Sequence, residues 1–118
     1  MKTPREVLDQ AMSEADFTRT VIDLARTLGW RCAHFRPARV IIKGKETYRT
    51  AVQGDGVGFP DLVLVKTGKP IFFIEVKSEM GKVSPEQALW LMLLDRGSTP
   101  AFVIRPSQWD ELVALLKG

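Results

Sequence analysis

The chain has 118 residues and a net charge of +3, and 45% of its residues are hydrophobic while 26% are charged. This composition excludes a disordered tail and predicts one domain over residues 1–118, whose mild positive charge permits a nucleic-acid partner without requiring one. The single cysteine excludes an internal disulfide, and the longest uncharged apolar run, residues 88–94, is too short to span a bilayer, so we predict a cytosolic protein with no membrane partner.

Two helix-start patterns open the chain. Thr3 can cap a first helix, with Glu6 at the position that completes a capping box. The short apolar stripe that follows is compatible with a helix lying on the domain and also with a dimer contact. Ser13 and Asp16 repeat the pattern and begin a second, amphipathic helix, which Gly29 is expected to end.

The stretch after the second helix gives weaker signals. Residues 31–35 can form a strand, which the proline that follows them ends. Residues 40–42 and 47–52 are compatible with a hairpin that turns at Gly44. Glycines at alternate positions then predict a flexible loop that ends at Gly58.

Two apolar runs of strand length, residues 62–65 and 71–74, follow this loop. The residues between them, 66–70, are typical of a turn, so the two runs predict an antiparallel hairpin. Neither run alternates with polar residues, which favours a sheet that helices cover on both faces.

The last part of the chain predicts a helix, a strand and a second helix. Ser84 and the proline after it form a strong helix start, and this helix is expected to run to about Arg96. Residues 101–104 read as a buried strand, and Ser107 as the cap of a last helix. The strand–helix–strand unit over 71–104 should be a right-handed parallel crossover. These elements together predict a three-layer α/β domain.

Three charged residues stand where the central hairpin is expected to end. Glu75 and Lys77 follow the second apolar run and, because strand side chains alternate, point to one face. Asp61 opens the first strand, which in an antiparallel hairpin lies beside the end of the second. Two carboxylates held close and partly buried are costly unless a cation neutralises them, and Mg²⁺ suits such a pair. The alternative interpretation is solvated charges at the end of an ordinary hairpin.

The ordered string around these charges resembles a nuclease signature. Asp61 after a proline, followed by Glu75 and Lys77, is similar to the motif of the PD-(D/E)XK superfamily. A longer match, over about residues 58–97, resembles the VRR-NUC branch of that superfamily. The segments and residues that carry this longer resemblance are 58–64, 74–78, 81–84, Gln87, Leu91 and Gly97.

The resemblance implies a restriction-endonuclease-like core of order αβββαβ, with a mixed central sheet flanked by helices, and metal-dependent hydrolysis of phosphodiesters. It implies that Asp61 and Glu75 are catalytic carboxylates that bind the metal, and that the Val76 carbonyl is a backbone ligand. It also implies that Lys77 is the catalytic lysine. The expected metal is Mg²⁺, for which Mn²⁺ should substitute.

Two further residues acquire roles from the resemblance, and each also fits a purely structural role. Gln87 matches the helix glutamine that supports catalysis in this branch, although a capping box accounts for it equally well. Glu14 matches a first-helix acid that completes the catalytic metal shell in related resolvases, although an acid there also favours the helix dipole. His34 falls in the looser part of the match, and an isolated histidine is more often structural.

A nucleic-acid surface is indicated by the basic stretch between residues 36 and 49, which suits a flap against a DNA backbone. Ser84, a further candidate for contacting DNA, is equally able to cap a helix. The candidate DNA-contacting residues are Arg36, Arg39, Lys43, Lys45, Tyr48, Arg49, Lys82 and Ser84.

These observations predict a Mg²⁺-dependent, structure-specific DNA endonuclease. The resemblance to stand-alone resolvases favours branched DNA such as Holliday junctions, and cutting a two-fold junction on two strands calls for a homodimer. Two alternatives stay open: a non-catalytic nucleic-acid-binding module on a nuclease scaffold, and a defence or restriction-type nuclease. The presence of Asp61, Glu75 and Lys77 argues against the first, and the short chain leaves little room for the sequence-reading domain of the second.

Overall fold

The computed structural model describes residues 1–35, 38–42, 45–49 and 54–118. The α-helices are α1 Pro4–Ala11, α2 Glu14–Thr27, α3 Pro85–Leu94 and α4 Trp109–Lys117, and a 3₁₀ turn at Pro106–Gln108 precedes the last. The strands are β1 Arg31–His34, β2 Ala38–Ile42, β3 Lys45–Arg49, β4 Leu62–Val65, β5 Phe72–Val76 and β6 Ala101–Ile104.

The first two helices begin where their caps predict. The Thr3 hydroxyl accepts a hydrogen bond from Glu6 N at 3.1 Å, and the Ser13 hydroxyl accepts one from Asp16 N at 3.0 Å. Gly29, at a φ of +89°, follows the end of α2 in the left-handed conformation that glycine favours. None of the helices in the described ranges combines the length and the apolarity that crossing a bilayer requires.

The main sheet has four strands in the order β1-β4-β5-β6. β4 pairs antiparallel with both β1 and β5, whereas β5 and β6 are parallel and α3 connects them. The predicted antiparallel hairpin, the parallel crossover pair and the mixed α/β sheet are therefore confirmed. β5 begins one residue later than predicted and extends to Val76, because it continues to pair with β6 up to Ile104.

One face of this sheet carries the hydrophobic core. Leu62 and Ile74 are fully buried there, together with Phe17 from α2 and Leu112 from α4. Side chains alternate along β5, so Glu75 lies on the opposite face, where α3 contacts it. The sheet thus lies between α2 with α4 on one side and α3 on the other, which is the predicted three-layer arrangement.

The predicted second hairpin exists but with different bounds. β2 and β3 form a two-stranded antiparallel sheet in which Ile42 pairs with Lys45 and Ala38 with Arg49. β3 therefore begins two residues before the predicted strand, because ladder pairing with β2 starts at a lysine that strand propensity disfavours. The predicted turn residue Gly44 and the end of the predicted strand at 50–52 lie outside the described residues.

The predictions for the last two helices need correction. α3 ends at Leu94, two residues before the predicted end. Ser107 does not cap α4, because the 3₁₀ turn comes first and Gln108 occupies the cap position without a side-chain cap bond. The backbone N–H and the hydroxyl of Ser107 instead both bind the carboxylate of Glu79.

Candidate active site

The candidate site lies at the end of the sheet where β4 begins and β5 ends. Leu62 pairs with Ile74 in antiparallel strands. Asp61, which precedes Leu62, and Glu75, which follows Ile74, therefore lie side by side on the face opposite the core. The backbone N–H of Val76 donates a hydrogen bond of 3.2 Å to Asp61 Oδ2. The two carboxylates that the sequence predicts as a pair therefore converge in space.

Glu75 is the buried centre of the site, with a relative exposure of 1%. Its Oε2 accepts a hydrogen bond of 2.9 Å from Gln87 Nε2 and lies 3.6 Å from Lys77 Nζ. Its Oε1 is buried and, among the residues that the structure describes, has no hydrogen-bond partner. A buried carboxylate oxygen without a partner is costly, so this atom marks a place where a further group would be stabilising.

The electrostatics of the site favour an added positive charge or a proton. The pKa of Glu75 is raised from 4.5 to about 8, first by burial and then by the negative charge of the neighbouring Asp61. Lys77 acts in the opposite direction and Glu14 adds a smaller rise. Since the pKa stays high despite Lys77, its ammonium does not by itself neutralise the carboxylate pair.

The backbone of Val76 opens toward the same site. The N–H and C=O groups of one strand residue point to the same side of the strand. The N–H of Val76 points to Asp61, whereas the next N–H, that of Lys77, donates to Ile104 O at 3.1 Å on the β6 side. The Val76 carbonyl is therefore directed toward the β4 side, beside Asp61.

Gln87 caps its own helix and binds the buried carboxylate at the same time. Its Oε1 accepts a hydrogen bond of 2.8 Å from Ser84 N, and its backbone N donates one of 3.1 Å to the Ser84 hydroxyl, which completes the capping box of α3. Its Nε2 is left to donate to Glu75. The cap thus fixes the amide in the orientation that holds the buried carboxylate.

The loop before Asp61 is packed directly on the first turn of α3. Gly58 has a φ of +87°, and a Cβ added there would lie 2.7 Å from the carbonyl carbon of Glu86. Trp90 Nε1 donates to Asp55 O at 3.0 Å and to Val57 O at 3.1 Å. These contacts fix Asp61 relative to α3, and Trp90 is a positioning residue that sequence reasoning missed.

A second positioning residue, Arg105, secures the loop after Lys77. Its Nη1 donates to three backbone carbonyls of that loop, those of Ser78 at 2.7 Å, Glu79 at 3.1 Å and Gly81 at 2.7 Å. Sequence reasoning missed Arg105 because it follows β6, and its adjacency to this loop depends on the parallel pairing of β5 with β6.

Glu14 approaches the site from the other layer. It is exposed at the first residue of α2, which packs on the core face, and its charge reaches Glu75 across the end of the sheet. No group of three His, Cys, Asp or Glu side chains is placed to hold a metal within the described ranges. A direct metal contact by Glu14 therefore stays a prediction.

Three further candidates in the described part of the chain, His34, Lys82 and Ser84, lie outside the carboxylate pair. His34 is exposed and pairs with Leu62 across β1 and β4, so its ring lies on the face opposite Glu75. Lys82 is exposed on the loop after Lys77. Ser84 caps α3, and its contact with DNA stays a prediction, as does that of Lys82.

Four of the other DNA-contact candidates lie in the strands β2 and β3. Arg39 lies opposite Tyr48 in the register of the two strands. Arg36 and Lys43 lie outside the described residues. The candidates within the two strands are Arg39, Lys45, Tyr48 and Arg49. Their role in DNA binding stays a prediction.

A family model described as the VRR-NUC domain matches residues 20–108, well over half of the chain. The chain belongs to the VRR-NUC family. VRR-NUC is a nuclease-domain family of the PD-(D/E)XK superfamily, and the mixed sheet with flanking helices is consistent with a restriction-endonuclease-like fold. The matched range of this VRR-NUC chain includes Asp61, Glu75, Lys77 and Gln87, whereas Glu14 precedes it. Neither a curated protein nor a solved structure matches the chain.

Proposed function

We propose that this VRR-NUC protein is a Mg²⁺-dependent, structure-specific DNA endonuclease that acts as a homodimer on branched DNA such as Holliday junctions. The observation that carries the proposal is the pairing of Asp61 with buried Glu75 at one end of the sheet, beside the ammonium of Lys77. Membership of a nuclease family supports phosphodiester hydrolysis as the reaction.

The donor set fits a hard divalent cation. Glu75 Oε1 lacks a hydrogen-bond partner in the described part of the chain, and the carboxylate of Asp61 and the carbonyl of Val76 open beside it. Mg²⁺ is typically held by one or two carboxylates and keeps several waters, so Asp61, Glu75 and Val76 suffice as protein ligands. A bound Mg²⁺, or Mn²⁺ in its place, supplies Lewis-acid polarisation of the scissile phosphate.

The side chains around the carboxylates meet the other requirements of hydrolysis. Gln87 holds Glu75 through Oε2, which leaves Oε1 free to bind. Lys77 is held close to the same carboxylate, where its ammonium orients the attacking water or stabilises the charge that grows on the phosphate oxygens. A new bond forms between phosphorus and the water oxygen while the bond to the 3′ oxygen breaks. The products are a 5′-phosphate and a 3′-hydroxyl that has taken up a proton.

The preference for branched DNA and the homodimer rest on symmetry. A four-way junction has two-fold symmetry, and two cuts placed symmetrically require two sites related by the same operation. The described part of one chain forms one such site, so a second copy supplies the other.

The proposal is tested by incubating a labelled four-way junction and a linear duplex of matched sequence with the protein, in Mg²⁺ and in EDTA. We expect Mg²⁺-dependent cutting of the junction, and a loss of about 100-fold or more in Lys77→Ala, since it removes transition-state charge stabilisation. Lys69→Ala is the matched control, because Lys69 is exposed in the β4–β5 turn at the opposite end of the sheet.

Three results would contradict the proposal in different ways. Equal cutting by wild type and Lys77→Ala removes the mechanism. Equal cutting of junction and linear duplex removes the structure specificity and favours a defence or restriction-type nuclease. Tight DNA binding without cutting, in Mg²⁺ and in Mn²⁺, favours a non-catalytic binding module.

A further inference from the structure

Helix α3 is apolar on the face turned away from the sheet. Leu89, Met92 and Leu93 have relative exposures of 52%, 66% and 50%, and none of the residues of α3 is fully buried. Val57, 64% exposed in the loop that packs on this helix, extends the same patch. Large apolar side chains grouped in this way usually mark an interaction surface.

Charged residues close both ends of this apolar stripe. Glu86, Leu89 and Leu93 are spaced i, i+3 and i+7, which places them along one side of the helix. Glu86 is exposed in the first turn, and Arg96 is exposed just past the last turn, where its Nε donates to Leu93 O at 3.0 Å. The stripe thus has an acid at its start, leucines in its middle and a base at its end.

This order of charges is complementary to itself when the helix is reversed. Glu86 and Arg96 lie five residues on either side of Leu91, and Leu89 and Leu93 lie two residues on either side. A two-fold axis at the level of Leu91 places each residue opposite its counterpart on an antiparallel copy. Each acid then meets a base and each leucine meets a leucine, whereas a parallel copy would oppose like charges.

We propose that α3 is the homodimer interface, in which it packs antiparallel against α3 of a second copy of this chain across a two-fold axis at Leu91. This homodimer is the one included in the proposed function, and the biological role of the interface rests on that function. The exposure and the spacing of the α3 residues support the interface independently of any activity. Leu89 contacts Leu93 of the other copy, and Glu86 pairs with Arg96 of the other copy.

The interface has a consequence for the active site. Gln87 lies in the first turn of the same helix and binds Glu75. Because the two copies of α3 run in opposite directions, their active sites flank the helix pair at its two ends. A helix of this length is about 15 Å long, so the sites are separated by at least that order of distance. Both sites are therefore held on a common rigid element.

Sedimentation equilibrium over a range of concentrations tests the surface directly. We expect wild-type protein to dimerise and Leu93→Glu to raise the dissociation constant about 10-fold or more, since it buries an unpaired charge at the centre of the interface. Leu8→Glu is the matched control, because Leu8 is 67% exposed on α1. Circular dichroism establishes that both variants stay folded, as expected for exposed positions.

Charge reversal tests the antiparallel register. Glu86→Arg alone and Arg96→Glu alone should each weaken the dimer severalfold, and the double variant should restore it. In a Cys32→Ser background, a mixture of Leu89→Cys and Leu93→Cys chains should form the mixed disulfide in preference to either symmetric one.

Three results overturn the inference: a wild-type protein that stays monomeric at high concentration, a dimer that Leu8→Glu disperses while Leu93→Glu does not, or a double charge reversal that restores nothing. Each is read from mass and cross-linking. The failure of this surface is therefore distinguishable from a failure of DNA cleavage.

Discussion

The two faces of the sheet use the same strands for opposite purposes. On the face under α2 and α4, Leu62 and Ile74 pack against Phe17 and other fully buried apolar side chains. On the face under α3, Glu75 is equally buried, yet one of its oxygens has no partner in the described part of the chain and its pKa is raised. Ile74 and Glu75, which are adjacent in β5, thus lie in the apolar core and in a charged site with an oxygen left unpaired by the described residues, respectively.

The difference separates stability from function. The core face gains free energy from every side chain it buries, whereas the α3 face gives up stability to keep two carboxylates together. Removing a charge from such a site is expected to raise the free energy of unfolding of the protein and to reduce its activity. Substitutions on the two faces should therefore have different effects, from a large loss of cleavage to a small change in the pH dependence of stability.

Replacing the buried carboxylate should separate the two properties most sharply. Glu75→Gln keeps the shape of the side chain but removes its charge, so cleavage should fall by about 1,000-fold or more while the free energy of unfolding stays equal or rises. Cleavage rates and urea unfolding measure the two effects. A matched variant is Glu79→Gln, which changes a carboxylate that binds Ser107. A Glu75→Gln protein that still cuts at the wild-type rate would contradict the division.

A truncation on the core face should act on stability alone. Phe17→Ala removes a side chain with 1% exposure, and we expect a loss of about 3–5 kcal/mol in the free energy of unfolding. Leu89→Ala on the exposed side of α3 should change it by less than about 0.5 kcal/mol when the protein is monomeric. Urea unfolding at low protein concentration gives both values, and similar losses in the two variants would show that the faces do not differ as described.

Gly58→Ala tests how closely the α3 face is assembled. The added Cβ meets the backbone of Glu86 at 2.7 Å, and the φ of +87° disfavours alanine, so we expect a loss of about 2 kcal/mol or more together with reduced cleavage. Gly54→Ala is the control, because Gly54 also has a positive φ but has no atom within 4 Å of the added Cβ. Equal effects of both substitutions would mean that backbone strain alone explains the loss of stability and that the close packing of Gly58 on α3 contributes nothing.

The pH dependence of stability should reveal the raised pKa of Glu75. In metal-free folded protein the carboxyl keeps its proton up to about pH 8, whereas in the unfolded chain it loses it near 4.5. The folded state therefore binds more protons in this interval, and the contribution to stability, complete below about 4.5, is lost as the pH rises toward 8. Relative to Glu75→Gln, the wild type should lose on the order of 4 kcal/mol between these limits. A wild type that gains stability relative to Glu75→Gln as the pH rises over this range would contradict the predicted direction of the change.

Much of the site follows from local patterns in the sequence. The apolar runs 62–65 and 71–74 and the turn between them define a hairpin, and the alternation of side chains then puts Asp61, Glu75 and Lys77 on one face. The capping motif at Ser84 predicts the start of α3, which brings Gln87 to the carboxylate. These inferences depend on neighbours within one element or one hairpin.

The parts that escaped prediction depend on contacts between elements. Arg105 reaches carbonyls more than 20 residues away, and Trp90 holds a loop more than 30 residues earlier. Ser107 has the sequence of a cap, but the Glu79 carboxylate competes for its hydroxyl and its backbone N–H. No local pattern encodes such pairings, because each exists only once the strand order is set.

Calorimetric titration of Mn²⁺ can show whether Asp61 and Glu75 form a metal-binding pair. The proteins to compare are the wild type, Asp61→Asn, Glu75→Gln and Glu79→Gln. We expect the wild type and Glu79→Gln to bind Mn²⁺ at one site with the same affinity, and Asp61→Asn and Glu75→Gln to bind it at least 10-fold more weakly. Unchanged Mn²⁺ affinity in both Asp61→Asn and Glu75→Gln would contradict this expectation.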